Sequence, residues 1–114
     1  MLQTNLTHVT SEDKFNQVLK ENENVMICCG RMGPMCIPVY EAMEELEPTY
    51  KHVKFADMEF DSPTGNLIRS LPETKSFNGL PFTVYFKNGK VVKATSSIQS
   101  TPQITKILDE NFQK

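Results

Sequence analysis

Three cysteines, Cys28, Cys29 and Cys36, fall within nine residues in the stretch CCGRMGPMCIPVY. Clustered thiols point to disulfide exchange, in which one thiolate attacks and a second thiol resolves the mixed disulfide. A free cysteine with a pKa near 8.5 is only ~3% thiolate at neutral pH. The unpaired N–H groups at a helix start favour the thiolate, and bringing the pKa to ~7 makes about half of it reactive. Cys36, followed by an apolar helical pattern, stands where a helix start can act on it. Cys29, in the loop read before that helix, can feel the same field. The spacing does not match a zinc site, because adjacent strand residues point to opposite faces. His8 and His52 are distant in sequence. A phosphate loop at GRMG lacks the lysine and hydroxyl it needs.

The elements that must position these thiols are legible from pattern. VTSEDKF opens a helix that Thr10 can cap, with Asp13 reaching back in a capping box and Phe15, Val18 and Leu19 on the apolar side. LTHV before it is a short strand. NVMICC is an apolar run that suits a buried central strand. A helix follows over about 34–50, with Val39, Ala42, Met43 and Leu46 facing inward and Pro38 distorting its start. HVKFADMEF is the next strand. Ser62-Pro63 begins a helix carrying Leu67 and Ile68, and SLPETKSFNG is an irregular connection. PFTVYFKNGKVVKATS reads as a hairpin turned by Asn88-Gly89. Ser100 and Pro102 start a last helix with Ile104, Ile107, Leu108 and Phe112 buried. The order β-α-β-α-β-α-β-β-α predicts an α/β fold, a mixed central sheet flanked by helices on both faces.

A chain of 114 residues suits one domain over 1–114, large enough to bury a core without staples. A net charge of −2 gives no basic surface for nucleic acid. No apolar run approaches the ~18 residues of a membrane span. The first residues carry no secretory pattern, so a reducing cytoplasm is the expected compartment. The odd cysteine count does not suit a disulfide scaffold.

The order and residues resemble the thioredoxin family over nearly the whole chain. HVTSEDKFNQVLKENENVMIC is similar to the family's first strand, helix and central strand. GPMCIPVYEAMEELEPTY is similar to the helix that carries the redox motif, and FADMEFD to the next strand. GLPFTVYFKNGKVV is similar to the cis-proline segment and its hairpin. The motif departs from the family: MGPMC replaces WCGPC. In that register Cys36 takes the place of the second, buried cysteine, Gly33 that of the attacking one, and Cys29 that of a tryptophan. A second register aligns Gly33-Pro34 with the family's Gly-Pro and puts Met32 and Met35 at both cysteine positions.

The resemblance implies a small thiol–disulfide oxidoreductase acting on protein disulfides as a monomer without a cofactor. Its reductant would be a flavoprotein of the thioredoxin-reductase type. A displaced pair, Cys29 with Cys36, can supply the two thiols, Cys29 being the more exposed. A disulfide needs Cα atoms roughly 4.4–6.8 Å apart, and closing this eight-residue ring restricts the unfolded chain by about 2.5 kcal/mol. Cys28 is assigned to the core. Asp57 replaces the family's lysine while Ile27 replaces its buried acid. Asp57 is then either a buried proton carrier or a partly solvated strand-end charge. Asp61 is expected to cap the turn after its strand. The resemblance implies a cis bond before Pro81 and an apolar docking rim of Gly33, Pro34, Met35, Leu80 and Pro81. Ser97 replaces a glycine facing that rim and would narrow it. The alternatives are a binding module with three packed, inert thiols and a monothiol protein acting through Cys36.

Overall fold

The computed structural model describes residues 2–112. Five strands form one sheet: β1 (Thr7–His8), β2 (Asn24–Gly30), β3 (Lys54–Glu59), β4 (Phe82–Lys87) and β5 (Lys90–Ser96). Their order across the sheet is β1-β3-β2-β4-β5. β3 is parallel to β1 and β2, whereas β4 is antiparallel to β2 and β5. The four helices are α1 (Glu12–Glu21), α2 (Ile37–Leu46), α3 (Asn66–Arg69) and α4 (Thr101–Asn111), with a 3₁₀ turn at Pro63–Gly65. The expected order and mixed sheet are present.

Every residue of β2 is buried, as a central strand with both faces covered requires. Alternation then sorts its side chains between two cores. Met26 and Cys28 join Val39, Tyr40 and Met43 of α2 and Ile104 and Leu108 of α4. Val25, Ile27 and Cys29 join Val18 of α1 and Ile68 of α3 on the other face. Cys28 and Cys29 thus belong to different cores although they are neighbours in the chain.

Local chemistry sets the boundaries. Ser11, one residue after the expected Thr10, caps α1 by accepting the Lys14 N–H at 3.1 Å. α4 starts with a complete capping box of Ser100 and Gln103. The Asn88-Gly89 turn has φ of 53° and 79°, the left-handed pair that a two-residue hairpin needs. α2 begins at Ile37 rather than near residue 34 and ends at Leu46. Pro38 sits in its first turn, where a missing N–H costs no intrahelical hydrogen bond. Among the described residues, no helix is long and apolar enough to cross a membrane.

Candidate functional site

Cys36 is the residue immediately before α2, and the loop before it folds as a tight turn. The N–H groups of Cys36 and Ile37 both donate to the Gly33 carbonyl, at 3.1 and 2.9 Å. The Cys36 side chain does not cap its own helix. Its Sγ instead accepts the Arg31 N–H at 3.4 Å, which brings it back over the end of β2. Gly30 makes this possible. A Cβ there would stand 2.8 Å from Cys36 Sγ, 2.8 Å from the Tyr40 hydroxyl and 3.0 Å from Pro81 Cβ.

A groove of about 440 Å³ opens beside this thiol, lined by Arg31, Gly33, Pro34, Met35, Cys36, Asn78 and Leu80. Four of the five residues expected to form a docking rim therefore share one concavity with Cys36. The fifth, Pro81, does not line the groove; it is buried against Gly30, and the Leu80–Pro81 bond is cis. Met35 is 44% exposed, whereas Cys36 is only 3% exposed at the groove floor. Asn78 and Arg31 were not singled out from the sequence; no local pattern marks them. Ser97 adopts φ 68° and donates its N–H to the Gly79 carbonyl at 2.9 Å, one residue before Leu80.

Cys29 corrects the sequence reading. It is not a loop thiol but a fully buried β2 residue. Its side chain packs in the α1/α3 core, across the sheet from Cys36. Burial raises its pKa to about 12, with nearby Arg69 opposing the shift. Cys28 is also fully buried, but in the same core as Cys36. Its Sγ accepts the Thr83 hydroxyl at 3.8 Å. Burial pushes its pKa well up, partly offset by that hydrogen bond. All three cysteines are free thiols.

Asp57 is the register neighbour of Cys28 on β3 and of His8 on β1. Its side chain is buried, which removes the solvated strand-end alternative. One carboxylate oxygen lies 2.7 Å from His8 Nδ1, and the other accepts the Thr4 hydroxyl. Burial raises the Asp57 pKa, and these two hydrogen bonds hold the rise back. His8 is about one-quarter exposed and borders an open cleft of about 130 Å³ with Thr10, Asp57 and Ser62. No local pattern links Thr4 or His8 to Asp57, which lies 53 and 49 residues away from them.

Asp61 is the other correction. It does not cap; Ser62 does, accepting the Gly65 N–H. Asp61 takes a two-pronged ion pair from Arg31, at 2.7 and 2.8 Å. The guanidinium holds its carboxyl below the usual range. Arg31 and Arg69 also lie over the Phe60 ring, at 5.4 and 5.2 Å from its centre. The loop ahead of Cys36 is thereby pinned to the end of β3.

Solved structures decide the fold. The chain is similar to thioredoxin of Plasmodium falciparum, with a TM-score of 0.77 and 19% identity over 93% of this chain and 99% of that one. The chain has the thioredoxin fold. The thioredoxin fold also relates it to a mutant thioredoxin of Halobacterium salinarum, at TM-score 0.78 and 16% identity, over 95% of this chain and 91% of that one. Thioredoxin O2 of Arabidopsis thaliana in its oxidised state matches at TM-score 0.75 and 15% identity, over 98% of each chain. No protein-family model matches the chain, and no curated protein matches it by sequence.

Proposed function

We propose that this protein carries out thiol–disulfide exchange with protein disulfides, and that Cys36 is its reacting thiol. One observation carries the reading: Cys36 lies at the floor of a groove whose walls are Gly33, Pro34, Met35 and Leu80. An extended segment seated there would bring its disulfide over Sγ. The Arg31 N–H aimed at Sγ is a fixed donor that favours a developing thiolate. Asp57 belongs to the same reading as a buried proton carrier. A reducing compartment such as the cytoplasm, a monomeric state and a flavoprotein or dithiol reductant complete it.

The proposed Cys29–Cys36 pair finds less support, because the two side chains pack on opposite faces of the sheet. The burial of all three sulfurs favours a second reading, a binding module that uses the groove without chemistry. Insulin reduction driven by dithiothreitol separates them. Exchange predicts thiol release above the uncatalysed rate, lost by at least tenfold in Cys36→Ser. Turnover at the buffer rate in the wild type, with Cys36 unalkylated in the native protein, overturns it in favour of the binding module.

A further inference from the structure

Resting on that reading of Cys36, we propose that Cys28 is its resolving thiol, and that Asp57 and His8 carry the Cys28 proton to the surface.

Side chains two apart on β2 share a face, about 6.8 Å apart along the strand. Cys28 and the Cβ position of Gly30 are such a pair. Cys36 Sγ fills the space above Gly30, so it lies over the Cys28 face of the sheet. Both cysteines belong to the α2/α4 core. Cys29, at the intervening position, points the other way. The sheet therefore gives Cys36 one thiol neighbour on its own side.

The surroundings of that pair are unusually polar for a core. The Tyr40 hydroxyl sits beside Cys36 Sγ over Gly30, buried and without a hydrogen-bond partner among the described residues. The Thr83 hydroxyl donates to Cys28. Asp57 stands next to Cys28 in the parallel β2–β3 register, so the two side chains share a face. Its carboxylate touches His8 Nδ1, and the His8 ring reaches water at the edge of the sheet. A buried thiol cannot lose its proton to bulk water, so it needs an adjoining base with a way out. Asp57 and His8 provide both.

The Cys36 thiolate attacks one sulfur of the substrate disulfide. A Cys36–substrate bond forms, the substrate S–S bond breaks and the first substrate thiolate leaves. Asp57 then takes the proton of Cys28. The Cys28 thiolate attacks Cys36 Sγ, the Cys28–Cys36 bond forms, and the second substrate thiolate leaves to be protonated by water. The two cysteines are oxidised and the substrate gains their two electrons. His8, whose Nδ1–H donates to the ionised Asp57, turns its ring once Asp57 is protonated, accepts the Asp57 proton on its bare Nε2 and releases the Nδ1 proton to solvent. A soluble dithiol reduces Cys28–Cys36 for the next cycle.

Peptide mapping tests the pair directly. The full chain is equilibrated in glutathione redox buffers, quenched with acid, alkylated with iodoacetamide and digested with trypsin. Cleavage after Arg31 separates Cys28 and Cys29 from Cys36, so a disulfide joins two peptides. Fragmentation between positions 28 and 29 shows which cysteine carries the alkyl group. The proposal expects the alkyl group on Cys29 and the link on Cys28. It expects the link to survive in Cys29→Ala and vanish in Cys28→Ala; the wild-type fragmentation stands even if a variant fails to fold. A link through Cys29 overturns the proposal and leaves exchange at Cys36 intact. A glutathione adduct on Cys36 with no internal link does the same. A Cys36 that is never oxidised overturns this proposal and the exchange reading together. Stopped-flow thiol release tests the proton route. Asp57→Asn should leave the first release unchanged and slow the second by about 10²-fold. An unchanged second phase removes Asp57 and His8 from the mechanism.

Discussion

Cys36 Sγ lies 2.8 Å from the point that a Cβ on Gly30 would occupy. The sulfur and a side chain at that position are mutually exclusive. Gly30→Ala must push away Cys36, the Tyr40 hydroxyl and Pro81 together, an overpacking that costs about 1–3 kcal/mol. At about 4–8 °C per kcal/mol for a domain of this size, the thermal midpoint should fall clearly. Gly33→Ala is the comparison, because nothing lies within 4 Å of its Cβ position. Its stability should stay within about 0.5 kcal/mol of wild type. Equal midpoints for both variants would show that the Gly30 site has room to relax.

Cys29 should alkylate very slowly in the native protein. With a pKa of about 12 it is roughly 10⁻⁴ thiolate at pH 8, against about one-quarter for an unperturbed cysteine. Timed iodoacetamide labelling with mass-spectrometric readout should show at least a 10³-fold suppression relative to denatured protein. Rapid native labelling of Cys29 would mean that β2 opens locally.

Asp57 should make stability fall as pH rises. Its folded pKa lies above the unfolded value, so between the two the folded state holds the extra proton. Above that window the native protein carries a buried charge that Asp57→Asn lacks. Thermal melts should show the variant a few degrees more stable at pH 8, the gain shrinking towards pH 4. A variant less stable at pH 8 would mean that the contact with His8 outweighs the desolvation of the carboxylate.

Ser97 holds a left-handed φ of 68° that favours glycine. Ser97→Gly should stabilise the protein by about 0.5–1 kcal/mol. Chemical denaturation should show a higher midpoint with an unchanged slope. A lower midpoint would locate the value of Ser97 in its side-chain packing against Gly79.

Much of this arrangement was legible in the sequence because it depends on local pattern. The hairpin followed from Asn88-Gly89 and the last helix from Ser100 and Pro102, whereas the grouping of Gly33, Pro34, Met35 and Leu80 around one groove was implied only by the family resemblance. What failed depended on a boundary or on distance. Cys29 looked like a loop residue because the following glycine reads as a break, yet β2 continues through Gly30 and carries Cys29 into the core. Asp61 looked like a cap because Arg31, its partner, is thirty residues away. The Thr4–His8–Asp57 cluster appears only once β1 pairs with β3, a parallel register that no short-range pattern announces.

The far edge of the sheet has a consequence for solution behaviour. β5 spans seven residues and, among the described residues, pairs only with β4. An open edge of that length is a template for a strand from another molecule. Lys90 and Lys93 are both exposed on it. A second copy adding edge to edge would bring ammonium groups into a shared, partly dehydrated seam. Acetylating or neutralising those two lysines removes that repulsion, and the altered chains should stack into larger assemblies at concentrations where the parent stays dispersed.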